Sequence, residues 1–223
     1  MSFLTTISGK QKSEGGGDKG IKVHLDYLNS LRMPAIALSK SGREAFSRIG
    51  GLPALPEKVA WPEWKSVPLA FLCQLDLSEI PEKCVQNALP GTGILYFFYS
   101  QEQDTWGFDP KDKGSWRVIY SSKPRAECPG RAAPKGLSKS HVYGEKTVVF
   151  SPVETYPDCQ DDRIRSLNLT EKQSDQYSEL CSAVFQDKPA HHLFGYPSPV
   201  QGNDMDLECQ LVSNGLYCGN ASG

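Results

Sequence analysis

Apolar residues recur at two periods along this chain, and each change of period marks a new element. Ile21, Leu25, Leu28 and Leu31 fall at helical spacing, which predicts a short amphipathic helix over 21–32, ended by Pro34. Ala35–Leu38 then reads as a strand. Residues 48–62 carry Gly50-Gly51 and prolines at 53, 56 and 62, which fits neither a helix interior nor a central strand. That stretch reads as an extended, turn-rich segment laid over a core, with Leu52, Leu55 and Trp61 turned inward. Four strands are predicted next, at 68–77, 93–99, 116–120 and 146–150, each β-branched, aromatic or alternating. Thr170-Glu171-Lys172-Gln173 is a capping box. It opens a helix to Phe185 whose Tyr177, Leu180, Cys181, Val184 and Phe185 share one face. A last strand is predicted at 207–212. Residues 1–20 are polar and glycine-rich and read as a flexible tail, with 21–223 as a single domain.

Composition sharpens this picture in three places. Glycine and proline together make 36 of 223 residues, which favours many turns and short strands over a helix bundle. The formal net charge is −2, which gives no global reason to bind nucleic acid or an anionic membrane. Locally, residues 123–146 hold six Lys/Arg against Glu127 and Glu145. Without the interleaved aromatics that stack on bases, this loop reads as a solvated face rather than a nucleic-acid site. The start has no apolar signal-peptide core, and the longest apolar run, 93–99, is far short of a membrane span. The expectation is a soluble, cytoplasmic protein with no membrane partner. Seven cysteines at irregular spacings, with no C-x-x-C pair, read as reduced thiols, Cys73 and Cys181 being buried on apolar faces.

Chemistry-bearing residues are few. Gly51-Leu52-Pro53 with Leu72-Cys73-Gln74-Leu75 echoes Gly195-Tyr196-Pro197 with Glu208-Cys209-Gln210-Leu211, a weak sign of internal duplication. Gln74 and Gln210 sit in apolar strands, where an unpaired amide is costly. Each is expected to bond the main chain of a neighbouring loop, ligand contact being the alternative. His191-His192 is the best chemical candidate. Adjacent strand residues face opposite ways, so one of the two, His192, can join Asp204 as a His–carboxylate pair for acid–base chemistry. No nucleophile elbow, P-loop, dinucleotide fingerprint or zinc-protease motif occurs. His192, Cys209 and Cys218 lack metal-ligand spacing, so no metal or cofactor is expected. Trp61-Pro62-Glu63-Trp64 forms either an aromatic platform or a pin holding an extended loop to the core. Residues able to contact a ligand or partner are thus Trp61, Trp64, Gln74, His192, Tyr196 and Gln201.

The string Ile49-Gly50-Gly51-Leu52-Pro53-Ala54-Leu55-Pro56, then Trp61-Pro62, then 68–77, resembles the signature of the YwqG-like family of bacterial proteins. Leu89-Pro90 with 93–98, and His192 with Gly195-Tyr196-Pro197 and Gln201-Gly202, are similar to its later motifs. The resemblance implies an α+β fold with a predominantly antiparallel β sheet, an N-terminal helix and one longer helix near 170–186. It also implies a domain cut short at its C-terminus, because relatives continue into further strands. The family is a domain of unknown function and brings no catalytic residues. Some members are encoded near toxin systems, which points to a partner-binding, immunity-type role. The first functional reading is therefore a cytoplasmic interaction module that binds another protein. The alternative is a hydrolase-like enzyme centred on His192 and a carboxylate.

Overall fold

The computed structural model describes residues 20–84, 89–105, 107, 109–185, 191–197 and 211. Nine strands are present among them: β1 Met33–Lys40, β2 Arg48–Ile49, β3 Glu63–Trp64, β4 Val67–Pro68, β5 Ala70–Asp76, β6 Ile94–Tyr99, β7 Trp116–Ser121, β8 Lys146–Thr155 and β9 His191–Phe194. Seven form one sheet in the order β7-β6-β5-β2-β8-β1-β9, and every neighbouring pair is antiparallel. β3 and β4 make a separate hairpin. The helices are α1 Leu25–Ser30, α2 Asp162–Arg165 and α3 Glu171–Ser182, with short 3-10 turns elsewhere. The molecule is α+β, as expected, with an N-terminal helix and a longer one at α3.

Alternation along β6 divides the sheet into two faces. Ile94, Tyr96 and Phe98 are buried in one cluster with Ala54, Leu55, Leu69, Phe71 and Cys128, under the loops around 50–62 and 123–137. Leu95 and Phe97 turn the other way, toward Ile36, Leu38, Leu75, Val148 and Phe150. A bulge between Phe71 and Cys73 shifts the register of β5 on β6. Phe71 thus serves the first cluster, while Cys73 and Leu75 serve the second. This is why the strand reads as an almost unbroken apolar run rather than an alternating one. Each side chain as completely buried as Leu55, Phe71 or Tyr96 stabilises the fold by about 1.5–3 kcal/mol.

The helices form a third cluster around Leu28, Ile164 and Tyr177. The capping box of α3 is present in both directions: Thr170 accepts from the Gln173 N–H, and the Gln173 side chain accepts from the Thr170 N–H. Tyr177 Oη donates to Pro157 O at 2.8 Å, tying α3 to the chain leaving β8.

Four elements differ from the sequence reading. The first helix begins as a 3-10 turn, Ile21–His24, and ends at Ser30. β1 runs through Pro34; β9 pairs only with Ala35–Leu38, so on that side the missing N–H meets no ladder. β8 continues past Phe150 through Pro152 to Thr155, paired there with β1 alone. Of the strand expected at 207–212 only Leu211 is described, and its backbone is helical. The rest of that segment lies outside the described residues. Cys73 and Cys181 are half-buried rather than buried. Among the described residues no helix is long and apolar enough to cross a membrane.

Candidate functional site

The glycine-proline segment around 48–62 is assembled by side chains bonding main chain. β2 is two residues long, and after it the chain turns through Gly50 and Gly51 with φ of 71° and 72°. Gly50 N–H donates to Leu72 O at 2.7 Å and Gly51 N–H to Tyr143 O at 2.8 Å. A Cβ on Gly50 would stand 2.4 Å from Gly144 O, so both the dihedral and the space demand glycine. Beyond the turn, the fully buried Gln74 of β5 accepts from the Ala54 N–H at 2.9 Å and donates to Phe46 O at 2.8 Å. Tyr96 Oη donates to Ala54 O at 2.7 Å, and burial pushes that phenol well above its ordinary range. Leu55 is buried, whereas Leu52 and Trp61 are only partly so.

The two tryptophans are similarly occupied. Trp61 stands edge-on to Phe98 and donates its indole N–H to Leu69 O at 2.9 Å. Trp64 donates to Lys113 O at 3.1 Å, and the Lys65 ammonium sits 3.8 Å from the centre of its ring. The hairpin tip behind it, Lys65-Ser66, has φ of 51° and 64° with no glycine. Cations of the basic loop are also turned inward. Arg125 pairs with the buried Asp76 and with Glu79, and Arg131 donates to Pro56 O and Val59 O.

His192 lies on β9 with its neighbour His191 facing the opposite way. Its Nε2 donates to Tyr196 O at 3.0 Å, because a carbonyl oxygen can only accept. Its ring packs on Phe185 with centroids 5.0 Å apart. Gly195, at φ 73°, turns the chain so that Tyr196 N–H reaches Thr155 Oγ1 at 2.8 Å. Tyr196 Oη accepts from Arg163, which also pairs with Asp161 at 2.7 Å. The Arg163 hydrogen bonds hold the Asp161 carboxyl below the usual range, and the same contact raises Arg163. The structure thus brings His192 and Tyr196 together with Arg163 and Asp161, two residues absent from the sequence reading. Asp204 and Gln201 lie outside the described residues. No cluster of three or more His, Cys, Asp or Glu able to hold a metal occurs among those described.

A different surface escaped the sequence reading. On β7, Trp116, Val118 and Tyr120 point to one face and are 46%, 44% and 45% exposed. They stand opposite Tyr99, Phe97 and Leu95 of β6, all half-buried. Among the described residues β7 pairs only with β6, so its other edge carries free N–H and C=O groups. The WRVIY pattern announced a strand. The one available signal for an edge was charge: 111–125 holds five Lys/Arg against Asp112.

No curated protein matches this chain. A family model described as Domain of unknown function (DUF1963) matches residues 47–216, beginning one residue before β2.

Proposed function

The chain belongs to the DUF1963 family, and from that premise we propose that it is an interaction module of the YwqG-like kind, binding another protein in the bacterial cytoplasm. One observation carries this reading: an aromatic and apolar row, Trp116-Val118-Tyr120, stands exposed on the terminal strand of the sheet. Tryptophan and tyrosine are the residues that interfaces favour, and an exposed row of them on an unpaired edge is costly unless something uses it. The polar residues that could have formed a reactive centre support it from the other side. Gln74, Trp61, Trp64 and His192 each bond main chain of this same protein. A hydrolase centred on His192 is the weaker reading, because its Nε2 is held by Tyr196 O. The free thiols of Cys73, Cys84, Cys128, Cys159 and Cys181 suit a reducing compartment. An immunity-type partner is the form of this function that the YwqG resemblance implies.

The test is site-specific photo-crosslinking in the native host. A photoreactive residue at Val118 is expected to give one defined protein adduct. The same residue at Val67, 49% exposed on the β3–β4 hairpin, is expected to give none. No adduct from 118, or the same adducts from both positions, contradicts the reading.

A further inference from the structure

We propose that β7 accepts an added β-strand from its partner, and that the strand is an extended segment alternating apolar with polar residues and carrying acidic side chains. This rests on the interaction-module reading and says how the module binds and what it binds. Backbone and side chains converge on the same element. Every second residue of this six-residue strand aims its N–H and C=O away from β6, toward the edge left unpaired among the described residues. An extended peptide satisfies those groups by main-chain pairing, and its alternate side chains fall beside Trp116, Val118 and Tyr120.

Charge selects the occupant. Lys111 and Lys113 precede the strand, Arg117 lies within it, and Lys123 and Arg125 follow it, against Asp112. Lys123 is engaged by Glu127, and Arg125 by Asp76 and Glu79. Lys111 lies 3.8 Å from Asp109. Lys113 and Arg117 are exposed and make no ion pair among the described residues. A second copy of this chain, paired antiparallel, would bring the same two cations, Lys113 and Arg117, and no carboxylate from β7 itself to meet them. An acidic segment meets the same positions with opposite charge, which speeds encounter and fixes register. The residues that take part are thus Lys113, Trp116, Arg117, Val118 and Tyr120.

The probe is a displayed library of random twelve-residue peptides, selected against the full chain at low salt. Selected peptides are expected to alternate apolar residues and to carry Asp or Glu. Arg117→Glu and Val118→Glu are each expected to weaken their binding roughly tenfold or more, with unfolding curves unchanged. Methylating alternate backbone amides along one edge of a selected peptide is expected to abolish binding, and methylating the other edge to leave it intact. If Val118→Glu does not fold, Arg117→Glu and the amide series still decide. Failure to select any peptide, or selected peptides whose affinity is indifferent to both substitutions, overturns strand addition at β7. A concentration-dependent dimer removed by Val118→Glu overturns the acidic partner in favour of a second copy. These outcomes are separate from the crosslinking result: an adduct at 118 with no strand-forming peptide leaves the module and refutes its mode.

Discussion

The segment around 48–62 and the strand β7 are both rich in aromatic and apolar residues, and they end in opposite conditions. In the first, Trp61 and Gln74 face inward and spend their polar atoms on Leu69 O, Ala54 N–H and Phe46 O. In the second, Trp116, Val118 and Tyr120 stay almost half exposed beside an unpaired edge. The difference lies in what the backbone lacks. Prolines at 53, 56 and 62 remove donors and the Gly50-Gly51 turn takes the chain off the sheet, so the side chains of Gln74 and Tyr96 supply the partners of Ala54. β7 has a regular backbone with, among the described residues, one ladder filled and one open, which is the edge the proposed partner would take.

The comparison breaks most sharply at Gln74. Gln74→Leu removes the amide that serves both the Ala54 N–H and the Phe46 O and leaves these groups without it, and is expected to destabilise by about 3 kcal/mol in urea unfolding. A loss well under 1 kcal/mol would mean the loop does not depend on that amide. Gly50→Ala forces a left-handed alanine with its Cβ 2.4 Å from Gly144 O; we expect a loss of about 2 kcal/mol, read the same way. The hairpin tip predicts a gain. Ser66 at φ 64° pays for a conformation glycine adopts freely, so Ser66→Gly should stabilise by about 1 kcal/mol in a thermal melt.

The smallest effect is electrostatic. Asp161 is held below its unfolded pKa by Arg163, so its contribution is present above the unfolded value near pH ~4 and is lost as pH falls through the folded one. Arg163 is 45% exposed, so the contribution is at most about 1 kcal/mol. Asp161→Asn should lower stability at pH 7, and the gap from wild type should close in acid; a gap independent of pH would remove the ion pair from the account.

Much of the first region was legible in sequence, because a glutamine inside an apolar run and glycines among prolines each have few physical solutions. α3 was legible for the same reason, through Thr170 and Gln173. The bulge beside Phe71 was not, since an apolar residue suits either face. The Lys65-Ser66 turn was hidden because neither residue announces positive φ. His192 was legible as a polar residue needing a partner; the Tyr196 carbonyl, brought round by Gly195, takes its Nε2, while Asp204 lies outside the described residues. Least legible was the exposure of β7. Whether a strand lies inside a sheet or at its end is decided by strand order, and WRVIY reads alike in both.

Residue-resolved amide hydrogen exchange on the full chain puts that contrast to the most direct test. The Ala54 amide, bonded to Gln74 inside the core, should exchange only with global unfolding. Along 116–121, alternate amides should exchange orders of magnitude faster than their neighbours, which are paired to β6. Uniform protection along β7 in the isolated monomer, or fast exchange at Ala54, would contradict the account of one closed region and one open edge.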